Sequence, residues 1–415
     1  MPNNILTIEG VVINNTEQIR RRIEIDQESG LITKVNEPTG SADFVFKDEL
    51  IFPGFIDIHV HAREDISHKQ DYKEDFKTVG EAAINGGVVA IAEMPNNPVP
   101  PTNDENYEQK KELTRKSSIE ILLYAGIGLY TKPLSKFVPY KVFMGPSIGE
   151  LFFSSKKELE NTIKLYEGQY VSFHCEDFEI LEMNKGQSTH ELQRPPEAEI
   201  SAVDFALYLI EKYKLIGKIC HCSTIEGIKK IIDAKTRGIN VTVEITPHHL
   251  FFSNQDGFAL DKNREKMLQV NPPIRGTEES FYLINALKNG DIDYLATDHA
   301  PHTMTEKEKG ISGIPHLDTY GPFATWLMKE HNFTEKEIVR VCSYNGAKFI
   351  NQFTKNKYGE VKEGYIGSLT VIDMNKPVLI TKEILKTKCK WSPFEGMTFP
   401  GSVIMTIVKG KIYEK

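Results

Sequence analysis

The chain has 415 residues, 40% of them hydrophobic, enough to bury one large domain with a smaller one attached. A net charge of -8 with dispersed Lys and Arg argues against a general nucleic-acid or anionic-membrane binder, while leaving room for a local basic site for an anionic small molecule. The start, MPNNILTIEGVVINN, lacks a secretory signal, no apolar run is long enough to cross a bilayer, and the five cysteines suggest no disulfide framework, so a cytoplasmic protein with reduced thiols is expected.

Residues 1 to about 50 alternate short apolar and polar runs, as in ILTIEGVVI and RRRIEIDQESGLITKV, with Gly, Asp and Asn between them. This is the pattern of short strands and turns. The same texture returns after residue 360 in YIGSLTVIDM and GSVIMTIVKG, so segments 1–50 and 360–415 are expected to form one small β domain.

Between them, strand-like runs recur at Phe55–His61, Val88–Met94, Ile119–Gly126, Tyr140–Met144, Tyr170–His174, Lys218–His221, Ile239–Thr246 and Ile292–Asp298. Stretches with helical spacing alternate with them, such as YKEDFKTVGEAAINGG and ISAVDFALYLIEKYKL. Eight strands alternating with helices predict a (β/α)8 barrel over residues 51–359, an α/β fold. The Pro-rich NNPVPPTND and RPPEAE are expected to shape loops at its mouth.

The chemistry-bearing residues gather where these runs give way to loops, the rim on which such a barrel places its active site. His59 and His61 in FIDIHVH share one side of an extended chain, and Arg63 keeps that parity. Lys141 follows the fourth strand, His174 and His221 end the fifth and sixth, and Asp298 closes the last in YLATDHAPH. Taken singly, each histidine reads equally well as a hydrogen-bonded core residue. Together with a buried carboxylate they favour a metal centre. Lys141 can ligate only after its amine is converted to a carbamate, which residue spacing does not reveal.

These residues sit in PGFIDIHVHARE, GGVVAIAEMPNNPVPP, YKVFM, SFHCED, ICHCST, VTVEITPHHLFF, NPPIRG, ATDHAPHT and WSPFEGMTFPGSV. In that order they resemble dihydroorotases of the amidohydrolase superfamily, particularly those with a carboxylated lysine, like the dihydroorotase domain of the animal multifunctional pyrimidine-synthesis protein. The resemblance covers nearly the whole chain and implies two zinc ions. His59, His61 and Asp298 would hold one, His174 and His221 the other, and N6-carboxylated Lys141 would bridge them. It further implies that Arg63, Asn96 and His302 grip the substrate carboxylate and that Asn271 lies against the ring. A hydroxide between the metals would open (S)-dihydroorotate to N-carbamoyl-L-aspartate reversibly, in pyrimidine synthesis, with Asp298 as general acid and base. A homodimer is a further expectation of the same kind.

Ser147, in a loop that is mobile in related enzymes, reads equally as a substrate contact or a turn serine. Cys220 and Glu244 are expected as a buried thiol and a carboxylate supporting a ligand. His248 and His249 are expected to be structural, and His68, His190 and His331 solvated. His316 and Asp318 depart from the family's usual glycine and glutamate, and a bulky His316 beside the pocket could alter substrate choice. The alternatives are another cyclic amidase (dihydropyrimidinase, hydantoinase or allantoinase) and a non-catalytic scaffold homologue, whose mark would be missing ligands.

Overall fold

A computed structural model describes residues 4–146, 151–255 and 262–415. The chain begins with β1 (Ile5–Ile13), β2 (Gln18–Asp26), β3 (Leu31–Asn36) and β4 (Phe44–Pro53). Along β1 the residues Leu6, Ile8 and Val12 are buried in alternation, the period of a strand with one face on a core.

Beyond Gly54 the chain enters the barrel. Its strands are β5 (Phe55–Val60), β6 (Val88–Glu93), β7 (Glu120–Leu123), β8 (Ala125–Ile127) and β9 (Tyr140–Phe143). They continue with β10 (Tyr170–His174), β11 (Ile216–Ile219), β12 (Val241–Ile245) and β13 (Tyr294–Leu295). β7 and β8 are two halves of one barrel strand, bent at Tyr124, the first paired with β6 and the second with β9. That gives the eight parallel strands of a (β/α)8 barrel. The ring closes where the His61 N–H donates to the His299 carbonyl at 2.8 Å and Val60 bridges His299.

The eighth strand is shorter than the apolar run that predicts it. Its continuation is diverted because Thr297 donates from its backbone and its hydroxyl to the Asp57 carboxylate, and Asp298 adopts a left-handed φ of 48°. Helices cover the barrel as expected. Helix Phe76–Asn85 starts at Asp75, whose carboxylate accepts from the backbone of Lys77 and Thr78, and it buries Phe76, Val79, Ala82 and Ala83. It stops at the predicted glycine pair: a Cβ on Gly86 would stand 1.8 Å from the Leu317 carbonyl oxygen, and Gly87 holds φ +82°. RPPEAE, in contrast, is mostly helix, with only Arg194 and Pro195 left as a connection. Pro196 is the first residue of helix Pro196–Lys212, where its missing N–H costs nothing.

The chain ends with β14 (Leu369–Asp373), β15 (Val378–Leu379), β16 (Thr398–Phe399), β17 (Ser402–Val408) and β18 (Lys411–Glu414). Both chain ends build one seven-stranded sheet in the order β18-β17-β14-β4-β1-β2-β3, the small β domain beside the barrel. Ile8, Ile23, Ile25, Ile51, Leu369, Val371 and Ile407 form a core of its own. No helix among the described residues is long and apolar enough to cross a membrane.

Candidate metal centre and anion pocket

At the C-terminal ends of the strands, the predicted residues converge. The His59 Nε2 lies 3.1 Å and the His61 Nε2 3.0 Å from the same oxygen, Asp298 Oδ1. Across the mouth, His174 Nδ1 and His221 Nε2 are 3.0 Å apart, and the His59 and His221 ring centres are 5.3 Å apart. All five residues are buried to a tenth exposure or less. Arg63, His221 and Asp298 hold left-handed φ values of 63°, 33° and 48°, a conformation that costs non-glycine residues free energy and gathers at functional sites.

Each cluster has a support that sets which nitrogen faces the site. Glu244, on β12, takes His59 Nδ1 on one carboxylate oxygen and Lys218 Nζ on the other. Glu176 accepts from His174 Nε2 at 2.8 Å and from Arg194. Burial would raise the Glu176 pKa, but Arg194 and His174 together outweigh it and bring the carboxyl down to about 2. With a proton on His59 Nδ1 and on His174 Nε2, the opposite nitrogens present lone pairs inward. The His59 lone pair then faces a carboxylate oxygen, an opposition that a cation resolves. The electrostatics agree. Burial lowers the His59 pKa, yet Glu244 and Asp298 outweigh it and hold it well above its ordinary value, so this spot demands positive charge.

The donor atoms of His59, His61 and Asp298 all lie within 4.8 Å of one another, a spread one divalent ion can bind; His59, Cys220 and Glu244 form a second such group. Lys141 on β9 is fully buried, with its Nζ 2.8 Å from Cys220 Sγ and 5.1 Å from the centre of the Phe143 ring. Among the described residues no carboxylate pairs with it. An ammonium so placed is costly, whereas a carbamate on the same nitrogen is an oxygen donor beside the histidines. The residues present therefore fit a two-cation centre.

Arg63, Asn96, Asn271, Phe143, Ser312 and Gly313 line the same pocket as the two clusters. Arg63 is 1% exposed; its Nε donates to the Pro301 carbonyl at 3.3 Å and its Nη2 lies 3.1 Å from His302 Nε2. Both partners are neutral. Burial, reinforced by Arg63 and Lys73, forces the His302 pKa far down, so it is an uncharged ring between two cations. Asn271 Oδ1 is buried and meets no hydrogen-bond donor among the described residues.

Several expectations need correction. His316 does not line the pocket, whose wall there is Ser312 and Gly313. Its Nε2 lies 2.9 Å from His248 Nδ1, with its ring centre 5.3 Å from Phe394. Asp318 is turned to the C-terminal segment, accepting from Asn85, Lys386 and Thr387. Only His68 of the three histidines expected in solvent is exposed. His190 Nε2 lies 2.9 Å from the Val270 carbonyl oxygen, and the His331 ring meets Trp326 edge-on at 4.3 Å. Ser147 lies outside the described residues. Sequence reasoning missed Lys218, Glu176 and Arg194; the only hint was an acidic residue at or just past a strand end.

The family model described as "Amidohydrolase family" matches residues 50–413. The dihydroorotase of Pyrococcus furiosus is 32% identical over 98% of this chain and 92% of its own length. That of Pyrococcus horikoshii is 36% identical over 89% and 82%. Among solved structures, the L-hydantoinase (dihydropyrimidinase) of Arthrobacter aurescens superposes with a TM-score of 0.88 at 22% identity, covering 99% of this chain and 96% of that one, a likeness of fold. The chain belongs to the amidohydrolase family and, within it, groups with the dihydroorotases.

Proposed function

We propose that the chain is a dihydroorotase of the carboxylated-lysine type, opening (S)-dihydroorotate reversibly to N-carbamoyl-L-aspartate in pyrimidine synthesis. One observation carries the reading: a cation-demanding His59–His61–Asp298 and His174–His221 centre shares a pocket with Arg63, a buried guanidinium whose hydrogen-bond partners are neutral. Two zinc ions would suit the donors, held by His59, His61, Asp298, His174, His221 and a carboxylated Lys141; bound there, they would acidify water and polarise a carbonyl.

The chain's own residues do the rest. The Arg63 fork takes the ring carboxylate, with Asn96 and His302 completing the grip and Asn271 facing the ring. Asp298 is suited to move the proton. Burial raises its pKa, but His59 and His61 outweigh that and keep the carboxyl well below its ordinary value, hence ionised. A carboxylate oxygen of Asp298 accepts the proton of the attacking water and returns it to the departing ring nitrogen; the reverse path uses the same oxygen.

Uncharged cyclic amides offer no carboxylate to Arg63, Asn96 and His302, at a cost of about 1–3 kcal/mol for each buried group that misses its match. That favours dihydroorotate over the rings that hydantoinases open. An ultraviolet assay of zinc-loaded protein with bicarbonate, comparing L-dihydroorotate with dihydrouracil, hydantoin and allantoin, tests this. Selective opening of dihydroorotate is expected. Preference for an uncharged ring overturns the substrate, and inactivity on all four with metal bound points to a scaffold.

A further inference from the structure

Helix Asp104–Leu113 lies on the outside of the barrel, yet its Lys110 is 1% exposed. Burying a lysine is costly without a partner, so the position of its ammonium is informative. The Nζ lies 2.5 Å from Glu93 Oε2 at the end of β6, donates to the Met94 carbonyl at 3.4 Å, and donates to Asn97 Oδ1. It thus grips the turn Met94–Asn97 from behind. That turn is also closed by the Asn97 N–H on the Pro95 carbonyl at 2.8 Å, and it carries Asn96 into the pocket.

Glu93 is fully buried as well, and its backbone pairs with Val60 of β5, the strand that leads into His61 and Arg63. Burial raises its pKa to about 7 and the Lys110 ammonium opposes that rise, so the two groups support each other's charge inside the barrel wall.

We propose that Lys110 is a positioning residue: paired with Glu93, it holds the Met94–Asn97 turn in the shape that aims Asn96 into the pocket. This rests on the reading of the pocket as a carboxylate grip. Lys110 does not touch the reacting atoms, so it governs affinity for the anionic ring and leaves the chemical step alone.

The test compares the metal-loaded full chain with Lys110→Met, Glu93→Gln and the double variant, measuring kcat, KM and the calorimetric Kd for L-dihydroorotate, with metal content as control. Lys110→Met is expected to raise KM and Kd about tenfold or more, the scale of a displaced binding group, with kcat and metal content held. Glu93→Gln, which leaves the Lys110 contacts to Met94 and Asn97 in place, is expected to hold KM within about twofold of the parent, and the double variant to stay as impaired as Lys110→Met. An unchanged KM in Lys110→Met, or a double variant that returns to the parent KM, overturns the positioning role. If Lys110→Met does not fold, Asn97→Ala decides: loss of the side-chain acceptor of Lys110 raises KM with kcat held if the turn is gripped as described, and an unchanged KM rejects it. Failure of the unsubstituted protein to bind or open dihydroorotate would instead reject the functional reading beneath it.

Discussion

The terminal sheet and the barrel rim bury their side chains to the same depth with opposite chemistry. In the sheet the buried residues are Ile8, Ile23, Ile51, Val371 and Ile407; at the rim they are His59, Arg63, Lys141, His174 and His221. Apolar burial stabilises whatever neighbour arrives, in proportion to area. Polar burial tolerates only a matching partner, so each rim residue brings another with it: Glu244 and Lys218 behind His59, Glu176 and Arg194 behind His174. The sheet holds the molecule together, and the rim specifies what it does.

Substitutions can break that division, beginning with the largest expected effect. Asp298→Asn removes the group proposed to move the proton, and turnover should fall by about a thousandfold or more in steady-state assays. Retained turnover would sink that role. Arg63→Lys keeps a positive charge but loses the fork, and kcat/KM for dihydroorotate should drop roughly a hundredfold, mostly through KM. In the sheet, Ile51→Ala should cost about 2–5 kcal/mol in urea unfolding while kcat and KM stay unchanged in the folded fraction. A change in KM would show that the two regions are coupled.

The smallest effect sharpens the comparison at a rim residue that serves structure. Lys307 is fully buried, donating to the Gln269 carbonyl at 3.0 Å and the Ile311 carbonyl at 2.8 Å, and burial pushes its pKa from 10.5 down to about 7. Between those values the unfolded chain holds a proton that the folded chain has lost, so stability rises with pH across that window. Lys307→Met should flatten this rise, read as urea midpoints near pH 7 and pH 9.

The strand ends were legible because apolar β runs stop at a polar residue, which is how His59, His174 and His221 come to stand together. Chemistry that depends on pairing between distant segments was not legible. Lys218 reads as an ordinary strand lysine until β11 and β12 align and set it on Glu244. His190 and His331 read as surface residues because their immediate sequence neighbours are polar, whereas Val270 reaches His190 from elsewhere in the fold and Trp326 meets His331 from the preceding turns of the same helix. Pro196 was misjudged because a proline pair signals a loop as readily as a helix start.

The pairing of β4 with β14 has a consequence for how the chain is made. The Phe55 N–H, just after β4, donates to the Thr370 hydroxyl 315 residues later, and the ladder Pro53–Leu369 lies beside it. On the ribosome, β4 therefore waits on the order of 15–60 s for its neighbour, at typical elongation rates. Through that interval it is an open strand edge bearing Phe52 and Ile51, able to recruit a strand from another nascent copy. A later-made segment protects an earlier one, so premature termination within the barrel would yield a fragment prone to aggregate and in need of chaperones.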